Sequence, residues 1–338
     1  MKILVTGCCG FIGSNFVRYM LNKYPDYELY NLDALTYAGN LDNLKGVDSG
    51  RYHFVHGSIW DEAAVTELLK NVDGVINFAA ESHVDRSIEN SRPFLDTNVI
   101  GLQVLLDAAL KAKVQRFVHV STDEVYGSLE TGDGKFTETT PFDPNSPYAA
   151  SKAAGDLLIK AFYKTFGFPV ITVRPSNNYG PYQYPEKFIP LMITNLLTGK
   201  PVPVYGQGTN VRDWLYVGDN CKAIDLVFHK GREGQSYNIG GDSERKNLEI
   251  LHKVMEIMNE SGAAKITGEA AFKYVKDRPG HDFRYALDNA KITAELGWRP
   301  EKKIEDGLVD TINWYIDNEW WWQSLKKRLA AESEGFWK

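Results

Sequence analysis

Lys2-Ile3-Leu4-Val5-Thr6-Gly7-Cys8-Cys9-Gly10-Phe11-Ile12-Gly13 stands at the start of the chain, and its reading decides the fold. A short apolar run predicts a buried strand. Gly7, Gly10 and Gly13 then space a G-x-x-G-x-x-G turn, and an amphipathic stretch over Ile12–Lys23 predicts a helix. Glycine suits such a turn because the chain bends sharply, a pyrophosphate approaches the backbone, and the helix packs close to the strand. The helix N-terminus then offers unpaired N–H groups and a favourable dipole to phosphate. Strand before and helix after raise this common motif to a dinucleotide site.

Outward from that unit the same alternation continues. Strands are predicted at Ile3–Thr6, Glu28–Leu32, Tyr52–His56, Gly74–Phe78, Arg116–Ser121 and Val170–Arg174. Helices are predicted at Asp61–Lys70, Thr97–Lys111 and Pro147–Phe166 between them. Strands alternating with helices over short connections form βαβ units, so the fold class is α/β, a doubly wound parallel sheet of Rossmann type. Ligands of such sheets sit outside the carboxyl ends of the strands. After Arg174 the texture changes: Ser176–Glu186 reads as a polar loop, Phe188–Leu197 as helix, Pro201–Tyr216 as loop and short strand, Gly218–His229 as helix, and Ser236–Ile239 as a strand rejoining the sheet. The remainder reads as helices with loops. We therefore expect a dinucleotide-binding unit over 1–175, joined by 217–241, and a smaller, mostly helical substrate lobe over 176–216 and 242–338. Trp320-Trp321-Trp322 and Phe336-Trp337 read as a tail packed on that lobe in preference to a carbohydrate platform.

Composition limits the partners. The 338 residues are 43% apolar and 24% charged with a net charge of −6, which gives no long-range attraction for nucleic acid or anionic membrane. No signal-peptide pattern precedes the first strand, and no run reaches the roughly 18 uninterrupted apolar residues of a membrane span, so a cytoplasmic protein without membrane contact is expected. Cys8, Cys9 and Cys221 offer neither a disulfide framework nor metal-ligand spacing; the vicinal pair reads as small filler within the turn, and no metal is expected.

Asp33 ends the second strand, 20 residues beyond Gly13. A carboxylate there accepts ribose hydroxyls and repels a 2′-phosphate, and no Arg or Lys stands between it and Lys45, so NAD is favoured over NADP. Tyr-x-x-x-Lys is weak alone, since in a chain with 18 Tyr chance supplies roughly one match. Tyr19/Lys23 lies on the first helix and reads as structural. Tyr148/Lys152 opens a helix after the fifth strand, on one helical face. Lys152 and a positive nicotinamide ring would lower the phenol's pKa and make Tyr148 a base for an alcohol losing hydride. Thr122, following Arg116–Ser121, would donate to the same oxygen.

The turn, Thr122 and Tyr148/Lys152 together resemble the extended short-chain dehydrogenase/reductase superfamily, which includes epimerases, dehydratases and decarboxylases of nucleotide sugars. Asp123-Glu124 narrows the choice: an epimerase needs only the oxidising apparatus, whereas adjacent carboxylates with separated pKa values provide an acid and a base for elimination. Ser121-Thr122-Asp123-Glu124-Val125-Tyr126-Gly127, Ala80-Glu81-Ser82-His83-Val84-Asp85, Asn177-Asn178-Tyr179-Gly180-Pro181 and Arg212-Asp213-Trp214 are similar to the dTDP-glucose 4,6-dehydratase family. So are Asp33-Ala34-Leu35-Thr36-Tyr37-Ala38-Gly39-Asn40 and Asp277-Arg278-Pro279-Gly280-His281-Asp282, so that the resemblance spans nearly the whole chain.

That resemblance implies a hydro-lyase with tightly bound NAD that is regenerated each cycle. Tyr148 would deprotonate the sugar O4 with Lys152 as electrostatic partner, Glu124 would remove the C5 proton, and Asp123 would protonate the departing C6 hydroxyl. Gly7, Gly10, Phe11, Ile12, Gly13, Asp33, Leu35, Thr36, Ser58, Ile59, Ala80, Ser82, Thr97 and Asn178 would surround the cofactor with Tyr148 and Lys152. Ser82, Thr122, Asn177, Glu186, Lys187, Pro203, Tyr205, Arg212, Asn247, Arg278 and His281 would hold the nucleotide sugar, the cations matching a diphosphate. Two departures stand out: Gly57-Ser58-Ile59 replaces the family's Gly-Asp-Ile, and Cys8-Cys9 its Gly-Ala. A homodimer through the Thr97–Lys111 and Pro147–Phe166 helices is a further implication. The rival readings are an epimerase or decarboxylase on the same fold, separable by product analysis, and a non-catalytic NAD-sensing regulator, which the intact Tyr148, Lys152, Asp123 and Glu124 disfavour.

Overall fold

The computed structural model describes residues 1–47 and 50–332. Its strands are β1 (Lys2–Thr6), β2 (Glu28–Asp33), β3 (Tyr52–His56), β4 (Gly74–Asn77), β5 (Arg116–Val120), β6 (Val170–Pro175), β7 (Asn177–Tyr179), β8 (Val202–Tyr205), β9 (Val211–Tyr216), β10 (Ser236–Ile239), β11 (Glu244–Lys246) and β12 (Phe272–Val275). Seven of them form one sheet in the order β10-β6-β5-β4-β1-β2-β3, every neighbouring pair parallel. The strand order reverses between β1 and β4, which opens the crevice where ligands of doubly wound sheets bind.

Both faces of the sheet are covered, which is why β1, β4 and β6 are buried almost throughout and read as continuous apolar runs. One face packs the Phe11–Lys23 and Val217–Lys230 helices through Phe16, Val17, Met20, Ile224 and Val227. The other packs Glu62–Leu69, Leu102–Lys111 and Pro147–Phe166 through Val65, Leu105, Leu106 and Ile159. Arg92–Lys111 is long and apolar enough, at mean hydropathy 1.2, to cross a membrane, but Leu102, Leu105, Leu106, Ala108 and Ala109 are spent on this core. Tyr19 and Lys23, the second Tyr-x-x-x-Lys match, both bond to the buried Asp225 carboxylate and tie the first helix to Val217–Lys230.

Predicted and observed elements of the main sheet agree within a residue or so, and the late strand lies beside β6 as expected. Elsewhere the reading needs correcting. The supposed loop Ser176–Glu186 contains β7, Pro201–Tyr216 contains two strands, and the supposedly helical remainder contains β11 and β12. β7 and β11 flank β9 in a small sheet, and β12 pairs with β8. Strands of three or four residues carry too little alternation to register; their partners lie far away in sequence. The Thr97–Lys111 helix in fact continues from Arg92 through a wide π turn at Asp96–Gly101, and a short helix at Val84–Glu89 was not anticipated. In the second lobe Trp321 and Trp322 are buried with Ile304, Leu308, Ile312 and Tyr315, while Trp320 is exposed. Phe336 and Trp337 lie outside the described residues.

Candidate active site

The Gly-rich turn is as tight as its glycines imply. Gly7 has φ +71°, and a Cβ there would lie 2.7 Å from the Ala79 main chain. A Cβ on Gly13 would lie 2.7 Å from Cys8 Cα. No side chain caps the Phe11–Lys23 helix, whose Ser14 N–H is the first to bond back, to Gly10 C=O. The amides of Phe11, Ile12 and Gly13 precede that bond and are left for an anion. Cys8 and Cys9 are free, fully buried thiols that fill space within the turn; burial and the nearby Asp33 carboxylate push Cys9 up to about 12.

Asp33 accepts the Cys9 N–H at 2.7 Å and the Leu35 N–H at 2.8 Å, which locks the carboxylate at the strand end. Leu35 adopts φ +50°, and Thr36 starts the turn closed by the Gly39 N–H. Ser58 Oγ is taken up by the Trp60 N–H at 3.4 Å, and the Ile59 side chain packs in the core, leaving its main chain for ligand contact. An uncapped helix start, glycines without room for a side chain, and a fixed carboxylate fit a dinucleotide. Gly13→Ala is expected to force the helix away from the strand, costing about 1–3 kcal/mol of stability. Cofactor content and melting temperature of the purified variant measure both effects.

Across the switch point, β5 ends at Val120 and delivers Ser121 and Thr122 to the cleft, and Asp123–Tyr126 coil into a single 3₁₀ turn. Thr122 Oγ1 accepts the Glu124 N–H and donates to Asp123 Oδ1, both at 3.3 Å. Facing them, Ser146 caps the Pro147–Phe166 helix through the Ala149 N–H, with Pro147 in its first turn. That start presents Tyr148 and, one turn on, Lys152, both buried. Ser87 Oγ accepts the Tyr148 N–H at 3.1 Å. Asn98 bonds both main-chain groups of Glu81 and the Ser151 hydroxyl, tying the Ala80–Ser82 wall to this helix.

Burial dominates the electrostatics of this pair. The Lys152 ammonium donates to the Val120 carbonyl at 2.8 Å, with His119 Nε2 at 3.5 Å. Burial, then Glu124, pushes the phenol up, and the Thr122 hydrogen bond only partly offsets this. Burial lowers Lys152 itself to about 8, against the pull of Asp156. The two carboxylates separate. Asp123 is raised well above the carboxylate range by burial, Glu124 and Asp213, and its buried Oδ2 has no hydrogen-bond partner. Burial raises Glu124 too, but Arg278, Arg212 and Lys187 pull it back.

The far wall comes from the second lobe. Asn177 Oδ1, Asn247 Oδ1 and Arg278 Nε are buried without a hydrogen-bond partner in the protein. Arg278 also lies 3.8 Å from Asp85. Lys187 reaches the Ser82 carbonyl at 3.3 Å, and Glu186 lies 3.5 Å from His83. Tyr205 and His281 stand ring to ring at 6.2 Å on the β8 side, with Pro203 two residues back on that strand. Burial, then Arg278, holds His281 down at about 4. Arg212 is turned inward, donating to the Val211, Asp282 and Phe283 carbonyls and stacking on Tyr285, so it reaches the cleft mainly as charge. Asn178 is likewise spent on Ser176 and Asn220, and Thr97 lies in the π turn. The sequence reading assigned no role to His83, Asp213, Ser87 or Asn98; a lone Asn on the apolar face of the Leu95–Leu106 stretch was the available hint for the last.

Comparison with known proteins now adds to this geometry. A family model described as GDP-mannose 4,6 dehydratase matches residues 4–311. A dTDP-glucose 4,6-dehydratase from Xanthomonas campestris pv. campestris is 51% identical over 340 residues, covering 95% of each chain. The chain belongs to the dTDP-glucose 4,6-dehydratase family. Two solved structures of that family resemble it throughout. The enzyme from Streptomyces venezuelae, with NAD bound, is 49% identical at TM-score 0.92, covering 96% of this chain and 100% of its own. That from Bacillus anthracis, in complex with NAD, is 50% identical at TM-score 0.89, covering 96% and 99%. Family membership fits the clustering of Thr122, Asp123, Glu124, Tyr148 and Lys152 where β5 and the Pro147–Phe166 helix meet the cleft.

Proposed function

We propose that this chain converts dTDP-glucose to dTDP-4-keto-6-deoxyglucose by oxidation at C4, elimination of water across C5 and C6, and return of hydride to C6. The observation that carries the reading is the Asp123-Glu124 pair on the Thr122 turn: burial raises both carboxyls, Asp123 well above the carboxylate range, while Arg278 opposes the rise at Glu124. Residues 1–175 with 217–241 form the cofactor-binding unit, and 176–216 with 242–338 the sugar-nucleotide lobe.

The Gly7–Gly13 turn, Asp33, Leu35, Thr36 and the Ala80–Ser82 segment would hold NAD. Bound there, NAD supplies the hydride acceptor and donor and a positive ring that draws the Tyr148 phenol toward its ionised form. Tyr148 takes the O4 proton as the C4–H bond breaks, and Thr122 holds that oxygen. The resulting ketone acidifies the C5 proton, which Glu124 removes. Asp123, kept protonated by burial, gives its proton to the C6 oxygen, so that water leaves as the C5–C6 double bond forms. Glu124 then returns a proton to C5. Arg278, Asn177 and Asn247 hold the nucleotide sugar through buried groups without a protein hydrogen-bond partner, and Lys187 adds its charge. The enzyme works without a metal. Leu95, Ile100, Leu157 and Phe166, exposed on the Arg92–Lys111 and Pro147–Phe166 helices, form the face of a homodimer. It acts in the cytoplasm, free of membrane and nucleic acid.

A crossover experiment tests the cycle. Substrate deuterated at C4, mixed with unlabelled substrate, should yield product with deuterium in its own C6 methyl group and solvent hydrogen at C5. The purified protein should carry NAD without added oxidant. Label returned to C4 would identify an epimerase, and absence of a methyl group a decarboxylase. Label scrambled between molecules would overturn the retained cofactor.

A further inference from the structure

The helix Glu319–Glu332 is fastened to the loop that follows β2, on the far side of the chain's sequence. Trp321, 1% exposed, donates its indole N–H to Asn43 Oδ1 at 2.8 Å across 278 residues. Asn43 donates through Nδ2 to the Cys9 carbonyl at 2.8 Å, and the Asn40 N–H joins the same oxygen at 2.9 Å. The other side of that peptide is held as well, since the Gly10 N–H donates to Gly7 C=O at 3.2 Å. Cys9 N–H, in turn, is the donor to Asp33 Oδ2 at 2.7 Å. An unbroken line of buried hydrogen bonds therefore runs from the C-terminal helix into the Gly-rich turn and on to the strand-end carboxylate.

Other contacts stiffen the same junction. Arg18 donates twice to the Asn43 carbonyl, at 2.8 and 3.1 Å, and lies over the Tyr182 ring, which packs edge-on to Trp321. Arg328 donates to the Tyr37 carbonyl and to the Tyr184 hydroxyl. Tyr37 follows Leu35 and Thr36, so the helix grips the loop at both ends.

We propose that Trp321 is a positioning residue for the dinucleotide: acting through Asn43, it pins the Cys9–Gly10 peptide and thereby sets how tightly the Gly7–Gly13 turn retains its cofactor. This rests on the reading of that turn as an NAD site. Donors already aimed need no reorganisation when an anion arrives, so their pre-arrangement appears directly in affinity. Removing the indole N–H leaves Asn43 Oδ1 buried and unsatisfied, free to turn toward another partner and release Cys9. A merely structural role for the helix predicts something different. Trp322, its neighbour, also donates its indole N–H at 2.8 Å, but to Tyr315 C=O within the lobe, with no link to the turn.

The test uses the full chain, stripped of nucleotide and titrated with NAD and separately with dTDP. Trp321→Phe should raise the Kd for NAD about tenfold while leaving that for dTDP within about twofold. Trp322→Phe should lower the melting temperature and leave NAD affinity unchanged. Asn43→Asp keeps the acceptor for Trp321 but removes the donor to Cys9, and should weaken NAD binding as Trp321→Phe does. Unchanged NAD affinity in Trp321→Phe, or an equal loss in Trp322→Phe, overturns the proposal. Should Trp321→Phe not be recovered folded, Asn43→Asp decides, with parental NAD affinity overturning it. A parent protein that binds dTDP but no NAD would bring down the assigned cofactor, and this role with it.

Discussion

Tyr148→Phe should reduce turnover of dTDP-glucose by about 10³-fold or more, because no other group at this end of the Pro147–Phe166 helix can take the O4 proton. Its ring packs edge-on to Phe94, and only the hydroxyl is lost in the variant, so the fold should survive. Glu124→Gln should be as inactive overall yet fail at a different step. With Tyr148 intact, the C4 oxidation proceeds and then stalls, since the amide cannot remove the C5 proton. The near-ultraviolet absorbance of reduced nicotinamide should build up on this variant within one turnover and stay absent in Tyr148→Phe. Equal silence in both variants would mean that Glu124 positions the substrate and is not the C5 base.

The largest effect on stability is expected away from the reacting atoms. Arg174 on β6 donates from Nε to Asp156 at 2.7 Å and from Nη1 to the Tyr126 hydroxyl at 2.8 Å, and Asp156 has no exposed side-chain surface. Tyr126 passes the connection to Asn238 on β10, so one buried pair joins the sheet edge, the Thr122 turn and the Pro147–Phe166 helix. Arg174→Met should cost about 3–5 kcal/mol in urea unfolding, because Asp156 loses its only hydrogen-bonded cation in the interior and keeps only His119 at 3.8 Å and the more distant charge of Lys152. Arg174→Met combined with Asp156→Leu should recover much of that loss, as the buried charge is gone. A loss under about 1 kcal/mol in the single variant would mean that Asp156 takes a proton and carries no charge there.

Much of the main sheet was legible in the chain. A strand buried on both faces must be apolar, and a helix over it must be apolar on one side, so the period of the pattern reports the element directly. Glycine at 7, 10 and 13 was readable for the same reason: each meets its steric limit within the turn or against Ala79 and Cys8. Asp33 and the Thr122-Asp123-Glu124 run were found because strand ends in an α/β sheet are predictable places. β7, β11 and β12 were not, since so short a run of three or four residues becomes a strand only when a distant partner, β9 or β8, is already in place.

Sequence alone thus determined the doubly wound fold, the dinucleotide turn and the candidates for acid and base, because these follow from local periodicity, turn sterics and residue type. Tertiary structure decided what those candidates are able to do. Packing engages the Lys152 ammonium with the Val120 carbonyl. Tyr148 is raised by burial and by Glu124, and Glu124 is itself raised by burial against the opposing charge of Arg278, more than 150 positions along the chain. Protonation depends on desolvation and on the charges folded around a group, and neither quantity exists until residues remote in sequence have been brought together.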